Sequence, residues 1–251
     1  ASRSAYAIFA EAAKQTSERV EVRGAIRYEK LESDSSVNPK LSIRMQANDN
    51  LVLRGSVSTS FREPSLSQLN QSSVGLQGIQ DFDSAGNAVG QPSFIRIAQA
   101  YSSDLIPEES TNLNIGAVWS PSDQFSMKFD YWSINYEDVI TIESAQGKVL
   151  ADPNGPDIVR LVDGTLIGVT TRYKNASEVD TDGYDIEASY NFESRLGNVS
   201  LGINRAHMLS YEIPATGGGM KDVVGLFNQD NFARSLPETK TCLLYTSDAA
   251  D

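Results

Sequence analysis

Asp81-Phe82-Asp83-Ser84-Ala85-Gly86 sets two carboxylates one residue apart, the way a calcium loop begins. Such a loop needs an oxygen ligand at its fifth position and a glutamate at its twelfth. Ala85 and Pro92 stand there, so the segment reads as a polar loop. His207 is the sole histidine, with no neighbouring cysteine or histidine to share a metal, and reads as a strand-end or loop residue. Glu108/Glu109 and Asp180/Asp182 are the kind of carboxylate pair that acid–base catalysis uses. Adjacent acids point to opposite faces of an extended chain, which separates Glu108 from Glu109. Gly217-Gly218-Gly219 precedes Met220-Lys221 but lacks the strand–loop–helix setting of a phosphate cradle, and reads as a loop tip. These residues therefore give no catalytic, cofactor-binding or metal-binding assignment, and the chain reads as a non-enzyme.

The elements that must carry these residues are more informative than the residues. From Val20 to Glu29 the chain alternates, with Val20, Val22, Gly24, Ile26 and Tyr28 on one face and Glu21, Arg23, Ala25, Arg27 and Glu29 on the other. The run is close to the ~9–11 residues that a tilted strand needs to cross a bilayer. The alternation recurs over Lys40–Gln46, Leu51–Phe61, Thr111–Trp119, Gly183–Phe192 and Val199–Asn204. An apolar outer face and a polar inner face are what a membrane barrel requires. Val22, Ile26, Leu41, Ile43, Leu53, Val57, Leu113 and Ile115 are expected to face lipid; Arg23, Arg27, Lys40, Arg44 and Arg54 are expected to face the lumen. Ser4–Glu11 and Phe125–Ile140 carry apolar residues on both faces. Tyr6, Phe9, Phe129, Tyr131, Trp132 and Tyr136 there read either as interfacial girdle residues or as packing.

The connections alternate too. Lys14–Glu18, Asn48–Asn50, Ser120–Asp123 and Glu193–Gly197 are tight and rich in turn formers. Lys30–Val37, Arg62–Pro107, Thr141–Thr171 and Ser210–Asn231 are longer. Up-and-down outer-membrane barrels show this asymmetry, with short periplasmic turns and long external loops.

The net charge is −12, with 33 acidic against 21 basic residues, which excludes a nucleic-acid footprint. The longest unbroken apolar run, Ala5–Ala10, falls far short of the ~18 residues of a spanning helix. The only cysteine, Cys242, opens a segment, residues 242–251, that resembles a translated sequencing adapter and is expected to be an artefactual tail; the alternative is a natural strand over Leu243–Thr246.

Several phrases resemble the barrel of TonB-dependent receptors. Asn38-Pro39-Lys40, Leu53-Arg54-Gly55-Ser56 and Ser60-Phe61-Arg62-Glu63-Pro64-Ser65-Leu66-Ser67-Gln68-Leu69 look like that barrel, in which a phrase of the type Phe-Arg-x-Pro-Ser/Thr-Leu closes an outgoing strand. Leu105-Ile106-Pro107-Glu108-Glu109-Ser110-Thr111-Asn112 resembles its re-entry after a long loop. Asp130-Tyr131-Trp132-Ser133-Ile134, Asp138-Val139-Ile140 and Thr181-Asp182-Gly183-Tyr184-Asp185-Ile186 follow in the family's order. The resemblance implies an all-β fold, an antiparallel up-and-down transmembrane β-barrel. This chain would supply an incomplete slice of about eight to nine strands of a roughly 22-stranded barrel, with the ninth beginning near Phe232. Residues 1–241 would be the partial barrel domain, an open curved sheet with two bare edges. Nothing in the chain resembles the family's plug or TonB box.

What the resemblance implies for function is uptake of a scarce nutrient (a siderophore, cobalamin or an oligosaccharide) through the bacterial outer membrane. The partners would be outer-membrane lipid and lipopolysaccharide, the TonB complex through an N-terminal region outside this chain, and a small-molecule or glycan substrate. Arg62, Tyr101, Arg160 and Tyr173 lie in or beside the long connections and are the candidate ligand contacts. A passive porin-like barrel and a secreted β-rich adhesin are the alternatives. Asn70-Gln71-Ser72, Asn175-Ala176-Ser177 and Asn198-Val199-Ser200 match the glycosylation sequon by chance in a bacterial barrel.

Overall fold

The computed structural model describes residues 3–31, 34–175, 178–194, 197–214, 219–226 and 236–247. Two sheets account for most of them. The larger, ten-stranded sheet is a wall of long antiparallel strands. Its members in chain order are β1 (Tyr6–Ser17), β2 (Val20–Lys30), β3 (Ser35–Asn48) and β4 (Leu51–Arg62), then, beyond a long loop, β7 (Glu108–Ser122) and β8 (Phe125–Glu137). A second long loop leads to β12 (Val179–Ser194), β13 (Gly197–Pro214), the short β14 (Met220–Asp222) and β15 (Thr239–Ser247). Neighbours in the wall are neighbours in the chain once the loops are set aside, and β14 and β15 both pair with β13. Among the described residues β1 has a partner on one side only, so the sheet is open, as expected.

The expected facing follows from the register. Val22 pairs with Ile43, Ile43 with Gly55 and Gly55 with Ile115; Leu41 pairs with Val57 and Val57 with Leu113. Cross-strand partners lie on the same side of a sheet, so these residues share one apolar face, on which Ile43 is 49% and Ile115 54% exposed. On the other face Arg44 pairs with Arg54, Arg54 with Gly116 and Gly116 with Asp130.

The aromatic residues left open by the sequence divide between the faces. Phe129 and Tyr131 join the apolar face, where Phe129 stacks on Tyr184 at 5.9 Å. Trp132 and Tyr136 turn inward: Trp132 lies over Gly183, where an added Cβ would come within 2.6 Å of its ring. Tyr136 packs on the buried cluster of Val179, Ile213 and Val223. A girdle does form at the tight-turn end, from Trp119 against Phe125 (5.7 Å) and Tyr190 against Phe192 (5.6 Å).

Three connections differ from the expected ones. β2 and β3 run on to Lys30 and from Ser35, because Asn38-Pro39-Lys40 stays in the ladder, so of the long loop expected over Lys30–Val37 only Leu31 and Asp34 lie outside a strand among the described residues. β13 continues past Ser210 to Pro214, with Leu209 as the extra residue of a bulge. The ninth long strand starts at Thr239; Phe232 lies outside the described residues. Residues 242–247 continue that strand in register with β13, every residue exposed.

The two longest connections build the second, five-stranded sheet. The first contributes α1 (Leu66–Asn70), β5 (Ser73–Phe82) and β6 (Ala88–Ala100). The second contributes β9 (Ile140–Ile142), α2 (Ala145–Ala151), β10 (Ile158–Arg160) and β11 (Leu166–Asn175). β5 and β6 form a hairpin, β6 and β11 pair in parallel, and β10 and β9 pair with opposite ends of β11. Ser65 and Gln68 cap α1 reciprocally, and Ser144 caps α2. This loop module has a conventional core: Ile79, Ile95 and Ile97 from the first loop meet Ala145, Val149, Leu166 and Val169 from the second, with Val149 fully buried.

Candidate functional site: the polar wall and the loop module above it

The polar face of the wall borders an open concavity of about 770 Å³, lined by Arg23, Arg44, Arg54, Ser56, Asn114 and Asp130 among others. Its charges are cross-linked. Arg23 reaches Glu11 and Glu21, each at 3.0 Å, and Lys128 reaches Glu187 at 3.0 Å. Arg54 spans a whole strand to grip both oxygens of Asp130, at 3.0 and 2.5 Å. That reach depends on Gly116, which lies between them: a Cβ there would collide with the Asp130 carboxylate and stand 3.0 Å from Arg54 Nε. Exposed pairs of this kind add about 0–1 kcal/mol each; their effect is to make the inner wall a charged, hydrated surface.

At the end of the wall opposite the tight turns, four chain legs carry the loop module. Glu108, buried at the start of β7, receives both Nε and Nη2 of Arg62 from the end of β4. The same carboxylate accepts the backbone N–H of Ile140 at 2.7 Å. Asn175 closes the other side: its Nδ2 donates to the carbonyls of Ile106 (2.9 Å) and Asp138 (2.6 Å), and its Oδ1 accepts the Ile106 N–H (3.0 Å). Asp138 sits at φ 54°, a left-handed turn that aspartate tolerates better than most residues. One glutamate and one asparagine thus fasten the ends of both loops.

Within the module, Arg160 spends its guanidinium on Asp81 (2.6 and 2.8 Å), Pro153 O (3.0 Å) and Gly164 O (2.9 Å). The Arg160 hydrogen bonds hold the Asp81 carboxyl below its ordinary range. Lys148 bridges Glu143 and Asp157, and Asp157 also meets Arg172 at 2.7 Å. The Lys148 ammonium, and then Arg172, keep Asp157 low. Gln146 imitates a strand at the β5 edge, accepting the Gln80 N–H and donating to the Gln80 carbonyl, both at 2.9 Å.

The residues that suggested chemistry in the sequence fall into structural places. Asp83 organises the β5–β6 hairpin tip, accepting from Ala85 N–H and Asn87 N–H at 2.9 Å; its carboxyl is held low chiefly by the Asn87 side chain. Asp180 takes a hydrogen bond from Asn135 and Asp182 takes them from Tyr131 and Ser210, on the outward face. His207 lies within β13, not at a strand end, with Nδ1 2.7 Å from Thr239 Oγ1 and its ring 4.9 Å from Tyr184. Gly217 and Gly218 lie outside the described residues; Gly219 has φ 77°. No cluster of metal-ligating side chains occurs among the described residues.

Of the four candidate ligand contacts, Tyr101 and Tyr173 each directly follow the last β6–β11 pair, Ala100↔Arg172, while Arg62 and Arg160 are held in separate ion pairs. Arg62 pairs with Glu108 but keeps 65% of its side chain exposed, and Tyr101 is 51% exposed. Tyr173 is half-buried beside β9, and Arg160 is a strut of the module. Glu108 and Asn175 as fasteners were missed. Glu108 had a signal: carrying the antiparallel register outward from Val57↔Leu113 brings Arg62 opposite Glu108. Asn175 had none, since its partners lie 69 and 37 residues away in the chain.

A sheet with one apolar exposed face, a charged concave face, an aromatic girdle and external loops defines an outer-membrane β-barrel wall. The sequence profile of the family described as TonB dependent receptor-like, beta-barrel, matches residues 1–239, and the chain belongs to that family of outer-membrane receptors and transporters rather than enzymes. No curated protein matches the chain in sequence. Among solved structures it is similar to the siderophore receptor PirA from Acinetobacter baumannii (16% identity, 98% of this chain and 31% of that one, TM-score 0.65). It is equally similar to a mutant of the ferric enterobactin receptor PfeA from Pseudomonas aeruginosa in complex with enterobactin (16%, 98% and 31%, 0.65). The FrpB iron transporter from Neisseria meningitidis is similar over 84% of this chain and 26% of that one (16%, 0.51). At these identities the likeness is one of fold, and the chain spans under a third of the length of these receptors.

Proposed function

We propose that the parent receptor carries a scarce iron chelate of the siderophore class across the outer membrane, driven by the TonB complex acting on a region outside this chain. The observation that carries this reading is the placement of a folded two-loop module at the mouth of a charged, concave barrel wall. A solute captured among the loops would pass onto a hydrated polar surface rather than an apolar one. The siderophore class, ahead of cobalamin or an oligosaccharide, is supported by the similar structures, which are described as siderophore receptors and an iron transporter.

Arg62, Tyr101, Arg160 and Tyr173 are proposed to contact the ligand. Arg62 and Tyr101 offer exposed side chains; Arg160 has the least left to give, with its donors on Asp81, Pro153 and Gly164. Lipid is proposed to cover the apolar face, and lipopolysaccharide to meet the polar band at its loop end, where Asn135, Asp180, Asp182 and Ser210 lie. Residues 242–251 are proposed to be foreign to the receptor, a reading supported by a family match that stops at residue 239.

The test is made in the full-length receptor, expressed in cells lacking their own iron-chelate receptors. Deleting Gln68–Ser103 is expected to abolish uptake of a labelled siderophore while a heat-modifiable barrel persists in the outer membrane. Unchanged uptake would place capture elsewhere. Uptake that persists without TonB would favour the porin reading.

A further inference from the structure

We propose that the free edge of β5 is a strand-docking site, and that its occupant is the external loop that enters β1 in the parent receptor. Docking of this kind goes beyond the uptake reading and requires no particular solute.

The β5 edge is unlike the other edges of the module. Native sheets guard their edges with short strands, charges, prolines or bulges. β9 and β10 follow that rule with three residues each, whereas β5 is ten residues long and ends the sheet. Between Ser73 and Ile79 it carries no charge and no proline. Gln80 shows which backbone groups face outward, since its N–H and C=O turn to the Gln146 side chain. Backbone groups alternate in direction along a strand, so those of Val74, Leu76 and Gly78 face the same way. Among the described residues no strand pairs with them there.

The side chains beside this edge are apolar. Val74, Leu76 and Phe94 lie on the face away from Ile79, Ile95 and Ile97, with Leu76 71% and Phe94 81% exposed. Phe94 pairs with Gly78, so no β5 side chain stands opposite its ring. A strand added at β5 would hydrogen-bond to Val74, Leu76 and Gly78 and set alternate side chains against this patch. Those are the sources of affinity and specificity in strand addition.

The occupant follows from the start of β1. β1 meets β2 at the tight-turn end, so Tyr6 stands at the loop end. In an up-and-down barrel the connection that enters a strand there is external. Arg3 fixes where that connection arrives: its Nη1 donates to Pro64 O at 2.8 Å and meets the Glu63 carboxylate, whose side chain is 5% exposed, at 2.6 Å. Pro64 precedes the Ser65 cap of α1, and α1 leads into β5 at Ser73. The chain entering β1 is thus tied to the root of the loop that carries the bare edge.

The experiment uses the full-length receptor in outer membranes. A photoreactive benzoylphenylalanine placed at Val74 is expected to cross-link to the external loop that enters β1, located by peptide mass spectrometry. A cross-link to another loop, to a second copy of the receptor, or none at all would overturn the proposal. A second variant, Leu76→Pro, removes an N–H that points to the free edge, where a strand tolerates proline. Cross-link yield from position 74 is expected to fall about tenfold or more with that proline, while heat-modifiable migration is unchanged. An unchanged yield would overturn the proposal. Should the proline variant fail to assemble, amide hydrogen exchange of the unaltered receptor decides. Val74, Leu76 and Gly78 are expected to exchange within about tenfold of Gly75 and Gln77, which face β6, and faster exchange at the edge would overturn the proposal.

Discussion

The wall and the loop module are both antiparallel-rich sheets from one chain, yet they are stabilised in opposite ways. The module hides its branched aliphatics: Ile79 and Val169 are 1% exposed, and an ion pair straps β5 to β10. The wall displays its aliphatics, with Leu41 and Ile115 each 54% exposed, and gathers its charges on the concave side. In water the first arrangement is a core and the second is a liability. In a bilayer the second is what a spanning sheet needs, since lipid takes the place of the missing layer and ladder hydrogen bonds satisfy the backbone. The same alternation of side chains therefore has two meanings, and the neighbouring medium decides which applies.

The sharpest way to break this contrast is a charge in the module core. Val149→Asp is expected to cost about 4 kcal/mol or more, the range for an unpaired buried charge, and to unfold the module. Heat-modifiable migration of the full-length barrel should survive, because the module packs on itself. Loss of barrel assembly would show that the two regions fold as one.

Next in size is the wall. Ile43→Arg puts a cation among lipid tails at a cost of about 2–4 kcal/mol near the midplane, whereas Ser42→Arg joins Arg23, Arg44 and Arg54 on the wet side. Assembly yields are expected to fall for the first and hold for the second. Equal yields would mean that the register is slipped by one residue.

The smallest expected effects separate the ion pairs. Asp81→Asn removes a charge from a bidentate pair whose side chains are 17% and 19% exposed, and is expected to destabilise the module by about 1–3 kcal/mol. Glu187→Gln, whose partner Lys128 is 44% exposed, should change wall stability by about 1 kcal/mol or less. Arg160 depresses Asp81, and Lys148 with Arg172 depresses Asp157. Their contribution is therefore whole above the ordinary carboxylate value near ~3.9 and is lost as pH falls through the lowered folded values. Module melting followed from pH 7 to about pH 3 should fall only at the acid end, and less in Asp81→Asn.

How much of this the sequence made legible follows the same division. Wall strands write their facing in period two, so Val22, Ile43, Leu53 and Ile115 could be placed from spacing alone, and tight turns marked one end. The module writes little locally. β5 carries Gly75 and Gly78 with exposed Val74 and Leu76 on either side of Gly75, which blurs its period. Its decisive contact, β6 with β11, joins residues about 70 positions apart in parallel. Parallel pairing leaves no turn signature to read. Ser65-Leu66-Ser67-Gln68 is a capping box visible in the sequence, yet it sits inside a strand-exit phrase and was read as part of that phrase. Arg160 was legible as a loop cation but not as a strut, because Asp81 lies 79 residues away.

The central claim is that this chain forms a membrane-spanning wall with lipid on one face and an aqueous lumen on the other. A cysteine scan along β3 in the full-length receptor tests it most directly, with a fluorophore placed in turn at Leu41, Ser42, Ile43, Arg44 and Met45. A lipid-soluble quencher is expected to act on Leu41, Ile43 and Met45, and a water-soluble one on Ser42 and Arg44, alternating residue by residue. Quenching of all five positions by the water-soluble reagent alone would contradict the account.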